Sequence, residues 1–142
     1  MDREKVKKID LVERAPTVAE YQMLRESAGW YRAADDPTHE GLRRALFSLV
    51  AEAEGVAVGC GRVVGDGGLY FYIQDIIVLP AFRGMGIGGM IMDRVMAYLD
   101  DTVRPNAFVG LMAARGVAGL YEKYGFEKRP AEGPGMFRVW GR

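Results

Sequence analysis

The sequence predicts an α+β fold with the element order β-α-α-β-β-β-α-β-α-β. Two observations carry this prediction. Three consecutive strand-like segments lie between residues 49 and 79, joined by short turns at Gly55 and Asp66-Gly67, which is typical of antiparallel hairpins. Segments whose apolar residues recur every 3.6 positions, as on one face of a helix, lie on either side of these strands.

The N-terminal part predicts one strand and two helices. Residues 6–12 alternate enough to form a first strand. Thr17 and Glu20 make the T-x-x-E capping box of a helix start, and this helix should stop near Gly29. Asp36-Pro37 predicts a second helix, with Asp36 as its N-cap and proline at the first helical position.

The next segments predict the hairpin strands of the core. Residues 49–54 and 56–64 form the first pair. Gly59 and Gly61 on the second strand predict that another element approaches its face closely, or that it bends.

The strand over residues 69–79 changes character along its length. It alternates up to Gln74 and is continuously apolar from Ile76, which predicts burial on both faces in its second half, across a bulge. The remaining predicted elements are a helix from Gly86 to about Asp100, a strand over residues 107–112, a short helix over residues 116–124 ended by Gly125, and a last strand over Met136–Trp140.

The stretch from Ile76 to Met92 carries the strongest functional signal. It reads IIVLPAFRGMGIGGMIM, so a buried strand leads through a glycine-rich turn into a helix. Glycines let backbone N–H groups come close to a ligand, and the helix start adds free N–H donors and a partial positive charge. Arg83 adds a full charge. The combination predicts a phosphate-binding loop.

The spacing of the glycines bears on the kind of phosphate ligand. The Walker pattern is absent, and G-x-G-x-x-G is present only formally, as Gly84, Gly86 and Gly89. The preceding strand pairs through a hairpin instead of a βαβ crossover, and Phe108–Leu111 stands where a ribose-binding acid should be. A nicotinamide oxidoreductase is therefore disfavoured.

Two blocks of the sequence carry a resemblance to a known family. Residues 83–88 fit [RQ]-x-x-G-x-[GA] and follow Val78-x-Pro80, and residues 120–126, LYEKYGF, are similar to an "lYekxGF" segment. The chain therefore resembles the GNAT (Gcn5-related) N-acetyltransferases over nearly its whole length. The resemblance implies a mixed, mostly antiparallel sheet with helices on both faces, and acetyl-CoA as the cofactor. It also implies a splay between two central strands that admits the pantetheine arm.

The resemblance also implies the residues that contact the cofactor. Backbone groups of Ile76, Ile77 and Val78 would meet the pantetheine amides. Many family members carry an asparagine at the position of Ala114, which is expected to contact the cofactor here without that side-chain hydrogen bond. The pyrophosphate would be bound by Arg83, Gly84, Met85, Gly86, Ile87 and Gly88.

Candidate catalytic residues follow from the same comparison. Tyr121, the motif tyrosine, would contact the cofactor and protonate the CoA thiolate, since a phenol of pKa ~10 keeps its proton at pH 7. From its spacing alone, Tyr121 fits a core aromatic better than a catalytic residue. Asp75 is either a base for the amine or a strand residue that faces solvent or pairs with an arginine. Cys60 is expected to be a small core residue, so we expect direct transfer in a ternary complex.

The acceptor site is expected among the first two helices, the link between them and the last strands. This region is rich in aromatic residues, and Trp30, Tyr31 and Tyr72 are the candidate substrate-binding residues, because a cation can sit over a ring. Gly29-Trp30 and Gly135-Met136-Phe137 also resemble, more loosely, the serotonin/arylalkylamine N-acetyltransferases of plant plastids and their bacterial relatives. This favours an aryl- or alkylamine. A polyamine, an aminoglycoside, an amino acid and a non-catalytic acyl-CoA-binding role stay open.

Composition sets the remaining expectations. With 142 residues we expect one N-acetyltransferase domain over residues 1–142, with its core at about 6–140. Nineteen basic residues balance 19 acidic ones, which argues against nucleic acid or a membrane surface as partner. One cysteine and one histidine argue against a disulfide and a metal site. We expect a cytoplasmic monomer or homodimer that binds acetyl-CoA and a small-molecule amine.

Overall fold

The computed structural model describes residues 8–141, which divide into two compact units, one within Met1–Met112 and one within Ala113–Arg142. Among residues 8–141, the first unit holds nine regular elements and the second holds one short helix. In the first unit these are β1 (Ile9–Val12), α1 (Val18–Ser27), α2 (Asp35–Arg43), β2 (Phe47–Ala53), β3 (Val56–Gly65), β4 (Tyr70–Val78), a 3₁₀ turn (Pro80–Phe82), α3 (Ile87–Thr102) and β5 (Phe108–Leu111), and in the second unit α4 (Ala118–Glu122).

The five strands form one sheet in the order β1-β2-β3-β4-β5. The first three pairings are antiparallel and β4 pairs with β5 in parallel, so the predicted mixed, mostly antiparallel α+β sheet is confirmed. The β4–β5 pairing ends at Ile73 opposite Leu111. Within residues 8–112, residues 74–78 of β4 therefore pair only with β3, and their other edge is open.

Helices cover both faces of this sheet, as expected. Leu24 of α1 packs with Cys60 and Ile77 on one face. On the other face α3 lies so close to β3 that a Cβ added at Gly61 would be 2.7 Å from a side-chain carbon of Ile91. The prediction of a close approach at this strand is confirmed, because only glycine leaves room for the helix.

The predicted bulge is present at Asp75. The β3–β4 register shifts between Cys60 and Arg62, and Asp75 has a φ of 59°. The prediction that the strand is buried on both faces beyond this point is wrong, because buried and half-buried residues go on alternating to Val78. The apolar run arises because the bulge inserts one residue between two segments that each contact a covered face.

The predicted N-cap is correct for the first helix and wrong for the second. The capping box between Thr17 and Glu20 is confirmed in both directions. Asp36 as N-cap is wrong, because the N-cap is Ala34 and Asp36 lies in the first turn of α2. In the first turn a carboxylate interacts favourably with the positive end of the helix dipole. Proline is tolerated there because N–H groups of the first turn have no partner within the helix. Residues 6 and 7 of the predicted first strand lie outside the described residues.

The second unit contains α4, which ends at Glu122 with Lys123 as its C-cap, so the predicted end at Gly125 is wrong and this glycine closes the turn that follows the helix. Gly125 has a φ of 89°, and its N–H and that of Phe126 bond to the carbonyls of Glu122 and Tyr121. The predicted last strand over Met136–Trp140 is wrong: the described residues there form no strand, and the Trp140 side chain is 83% exposed. The segment reads Met-Phe-Arg-Val-Trp, and a short run rich in apolar residues does not by itself predict a strand.

Among residues 8–141, no helix has the length and apolar character needed to cross a membrane.

Candidate active site

The glycine-rich turn links the end of β4 to α3. After the 3₁₀ turn, Gly84 and Gly86 adopt φ values of 81° and 80°, the left-handed region that favours glycine. Gly86 is the N-cap of α3, and no side chain caps this 16-residue helix. The sequence prediction of a strand, a glycine turn and a helix start is confirmed here.

The backbone of this turn is unusually rich in unbonded donors. The N–H groups of Gly84, Met85, Gly86, Ile87 and Gly88 find no hydrogen-bond acceptor among the described residues. Further along the helix, the Met90 N–H donates to the Gly86 carbonyl at 3.0 Å. Five successive free donors at the positive end of a helix dipole form a site for an anion.

The shape of the turn fits a pyrophosphate as well. A Cβ added at Gly86 or Gly88 would meet no atom within 4 Å, so these glycines leave the backbone bare instead of making room for packing. Arg83 is exposed beside the turn, and its Nε donates to the Val78 carbonyl at 3.3 Å. A guanidinium and five N–H groups match the charge and the acceptor oxygens of the CoA phosphates.

The three residues expected to meet the pantetheine lie on the second half of β4. Ile77 belongs to the core, whereas Ile76 and Val78 are half-buried. Their strand edge is the one that β5 leaves open within residues 8–112. The backbone there is available to a ligand that runs alongside it like a short strand.

Asp75 lies at the centre of a buried polar cluster. Its side chain is 1% exposed, and its Oδ2 accepts from Arg62 Nε at 2.7 Å and from Tyr21 Oη at 2.8 Å. Oδ1 accepts from Gln74 at 3.2 Å. Of the roles expected for Asp75, the structure shows the ion pair with an arginine, Arg62. The three donors occupy both oxygens of this carboxylate, which favours an anchoring role over that of a base.

The same cluster shifts the pKa values of its neighbours. Burial and then the charge of Asp75 raise the pKa of Tyr21. Burial lowers the pKa of Arg62, but the hydrogen bond and charge of Asp75 outweigh it, so the net shift is upward. Burial and Asp75 also raise the pKa of the Cys60 thiol, whose sulfur donates to the Asp75 carbonyl. A thiol held in this state is a poor nucleophile.

The aromatic residues near the end of α1 lie around the guanidinium group of Arg25. The Arg25 guanidinium lies 4.9 Å from the ring centroid of Tyr31 and 5.5 Å from those of Trp30 and Tyr21. Nε donates to the Tyr31 carbonyl and Nη1 to Tyr21 Oη, at 3.1 and 3.2 Å. Sequence reasoning missed Arg25, although its position four residues after Tyr21 on a predicted helix was a usable signal.

Tyr72, the third candidate substrate residue, lies on β4 before the bulge. Its hydroxyl is buried and has no hydrogen-bond partner among the described residues. Burial raises its pKa, and the nearby Met112 backbone opposes the shift without reaching hydrogen-bond geometry. An unpaired buried hydroxyl costs roughly 1–3 kcal/mol, so a ligand that supplies a partner gains that amount.

Tyr121 and Ala114 belong to the second unit. Tyr121 lies in α4 and is buried, and burial raises the pKa of its hydroxyl. Within the described chain this hydroxyl makes no hydrogen bond, so its proton is available. Ala114 lies in an exposed loop before the helix.

A pocket of about 190 Å³ opens between α1, α2 and β3. Its wall includes Tyr21, Ala33, Thr38, Leu42 and Arg62. The pocket therefore shares Tyr21 and Arg62 with the polar cluster around Asp75, in the region where the acceptor site was expected.

Comparison with known proteins agrees with this geometry. A family model described as "Acetyltransferase (GNAT) domain" matches residues 44–128. An uncharacterized N-acetyltransferase of Pyropia yezoensis is 28% identical over 122 residues, covering 83% of this chain and 69% of that protein. The chloroplastic serotonin N-acetyltransferase 2 of Oryza sativa subsp. japonica is 31% identical over 105 residues, covering 68% of this chain and 52% of that protein.

The fold is also found among solved structures. A probable acetyltransferase from meticillin-resistant Staphylococcus aureus, of unknown function, superposes with a TM-score of 0.88. The two chains are 32% identical, and the match covers 94% of this chain and 100% of the other.

Proposed function

Because the chain belongs to the GNAT family of acetyltransferases, we propose that it transfers the acetyl group of acetyl-CoA to the primary amine of a small molecule. The observation that carries the proposal is the run of five unbonded N–H groups from Gly84 to Gly88 beside Arg83. Acetyl-CoA supplies an acyl thioester. In the transfer a carbon–nitrogen bond forms and the carbon–sulfur bond breaks. The amine loses one proton to water and the CoA sulfur takes one from Tyr121, which regains a proton from water, so the products are the amide and free CoA thiol.

The residues of this chain have distinct roles in the proposal. The N–H groups of Gly84–Gly88 and the charge of Arg83 hold the pyrophosphate, and the open edge of Ile76–Val78 orients the pantetheine arm. Ala114 contacts the same arm without the usual amide bond. Tyr121 holds the proton that the thiolate leaving group takes, and the raised pKa of its hydroxyl keeps that proton in place at neutral pH.

Transfer in one ternary complex, without an acyl-enzyme, is favoured by the state of the cysteine. Cys60 is buried in the core and its pKa is raised, so it does not supply a thiolate. We propose that Asp75 stays in its ion pair with Arg62 during the reaction, and that any effect it has on the amine is exerted from there. Its main effect is to hold the bulge from which residues 76–78 run.

For the acceptor we propose a small amine with an aryl or alkyl body. The serotonin N-acetyltransferase relative supports this class, and so do Trp30, Tyr31 and Tyr72, the aromatic residues that we propose contact the substrate. Cytoplasmic location and a monomeric or dimeric state stay predictions.

A thiol-release assay tests the proposal. The protein is incubated with acetyl-CoA and each member of a panel of amines, amino acids and aminoglycosides, and free CoA thiol is measured. We expect at least one amine to release thiol well above the rate without acceptor, with the N-acetyl product found by mass spectrometry. Tight acetyl-CoA binding in calorimetry without thiol release from any acceptor would instead leave an acyl-CoA-binding module.

A further inference from the structure

Two arginines contact Tyr21, one of the residues that line the pocket between α1, α2 and β3. Two guanidinium groups flank the ring of Tyr21, Arg25 at 5.5 Å and Arg62 at 5.7 Å from its centroid. Asp75 is the carboxylate of this cluster, and it pairs with Arg62. Of the two cations, Arg62 is therefore neutralised and Arg25 is not.

Arg25 is fixed in place without a carboxylate. Three rings, one carbonyl and one hydroxyl hold it, and no described carboxylate pairs with it. The acidic side chains of α1 and α2 that form ion pairs do so with other arginines: Glu20 with Arg14, Glu26 and Asp35 with Arg32, and Glu40 with Arg43 and Arg44. A fixed cation that the protein leaves without a counter-ion is a site for an anion.

The hydrogen-bonding capacity of the two arginines agrees with this. Arg25 uses Nε and Nη1, and Arg62 uses Nε and Nη1, whereas Nη2 of each makes no hydrogen bond with a described residue. Arg62 lines the pocket, and so does Tyr21, which both arginines contact. Arg62 lies in the pocket wall, and Arg25 donates to the hydroxyl of Tyr21 in that wall. The spare donors of these two planar groups suit the oxygens of a carboxylate or a phosphate ester.

The arrangement is unfavourable for an amine in the same place. The ring faces of Tyr21, Trp30 and Tyr31 that would hold an ammonium already hold Arg25, and a second cation there would be repelled. We infer that the acceptor amine carries an anionic group, and that Arg25, with Arg62, binds this group at the pocket. The inference rests on the proposed function and narrows its acceptor to amines with a carboxylate or phosphate.

Matched acceptors test the inference. Tryptophan and tryptamine differ only in the carboxylate, and glucosamine 6-phosphate and glucosamine differ only in the phosphate. We expect kcat/KM for the anionic member of at least one pair to exceed that of its partner by tenfold or more. Arg25→Gln should remove this preference, mainly by raising the KM of the anionic member. Arg25→Lys should restore part of it.

Arg32→Gln is the matched control, because Arg32 is a neighbouring arginine whose charge Glu26 and Asp35 already balance. This variant should keep the wild-type preference. A wild-type enzyme that prefers tryptamine and glucosamine, or an Arg25→Gln variant that loses activity equally on both members of a pair, would overturn the inference and leave the acetyltransferase proposal intact.

A binding arm separates the two proposals. N-acetyltryptophan and N-acetyltryptamine are titrated into the CoA-loaded protein by calorimetry, with N-acetylglucosamine 6-phosphate and N-acetylglucosamine as the second pair. Tighter binding of an anionic member by tenfold, lost in Arg25→Gln, supports the inference even if turnover fails. Equal binding within both pairs, or no binding of any member, would refute it. Absence of thiol release from every acceptor would count against the proposed function alone.

Discussion

Two glycine-containing turns at the ends of β4 differ in what satisfies their backbone. In the turn before β4, Oδ1 of Asp66 accepts from the N–H groups of Gly68, Leu69 and Tyr70 at 2.8, 2.9 and 3.0 Å. In the turn after β4, five successive N–H groups from Gly84 to Gly88 have no acceptor in the described chain, and Arg83 stands beside them. The first turn is bonded to a carboxylate of the chain itself, whereas the donors of the second turn have no such partner among the described residues.

The difference indicates which feature of a glycine-containing turn points to a ligand. Both turns contain glycines with positive φ, Gly67 at 78° and Gly86 at 80°, so glycine content alone does not distinguish them. The unsatisfied donors do. The chain pairs the backbone N–H groups of one turn with a side chain and leaves those of the other turn unpaired. Unpaired polar groups of this kind indicate a functional site.

The largest effect is expected at a side chain that the same criterion selects. Tyr121 has a hydroxyl without a hydrogen bond in the described chain, and its pKa is raised by burial. Tyr121→Phe should lower kcat by ~10²–10⁴-fold, since general-acid help is worth that much, and should leave the acetyl-CoA dissociation constant within about threefold. Steady-state kinetics and calorimetry measure the two quantities.

Tyr124→Phe is the control on the same segment. It removes a hydroxyl from a tyrosine outside the motif position, so kcat should stay near the wild-type value. If the two variants are equally active across the pH range, Tyr121 is a core aromatic and another group or water protonates the thiolate.

The next largest effect is expected in the loop itself. Gly86→Val forces a β-branched residue into a left-handed conformation and turns the donors away from the ligand, so acetyl-CoA affinity should fall by about 100-fold, the equivalent of one or two charge-assisted hydrogen bonds. Gly67→Val introduces the same strain in the other turn and should leave the affinity unchanged. Comparable losses in the two variants would mean that the effect is general destabilisation.

A smaller effect should separate the two turns by pH. Three backbone donors lower the pKa of Asp66 below its usual 3.8 in the folded protein. Its stabilising contribution is therefore complete above the unfolded pKa and is lost as the pH falls through the folded value. Asp66→Ala should lower the Tm at pH 7, and the difference from wild type should shrink below about pH 4. Acetyl-CoA affinity should not change, and a large loss of affinity would contradict the assignment.

The smallest effect is expected at Gly88. This glycine lies in the first turn of α3, a Cβ there meets no atom within 4 Å, and the family motif accepts alanine at this position. Gly88→Ala should raise the free energy of unfolding by roughly 0.5–1 kcal/mol and keep acetyl-CoA affinity within twofold. Denaturant unfolding and calorimetry check both. A loss of affinity like that of Gly86→Val would show that the ligand approaches this residue more closely than the motif implies.

The sequence predicted correctly the features that depend on residues close together in the chain. The capping box of Thr17 and Glu20, the glycine start of α3 and the bulge near Asp75 were all readable, because each depends on residues a few positions apart. The strand over Met136–Trp140 was not correctly predicted, because pairing needs a partner edge that the pattern does not report.

The residues of the polar cluster around Asp75 could not be predicted from the sequence, because they are far apart in the chain. Tyr21 and Asp75 are 54 residues apart, and Arg62 reaches Asp75 only because β3 and β4 pair in one register. The family motif identified the loop and Tyr121, but it carries no information about the charge around the acceptor. Arg25 and Arg62 became candidates only once the helices and strands were in place.

The central claim is that the turn after β4 binds phosphate through its unpaired N–H groups. Amide shifts in ¹H–¹⁵N spectra measure this directly. On addition of CoA, the amides of Gly84–Gly88 should show the largest changes, and those of Gly68–Tyr70 should stay in place. Pantetheine, which lacks the phosphates, should leave the Gly84–Gly88 amides unshifted. Changes of equal size in both turns, or the same shifts with pantetheine as with CoA, would contradict the account.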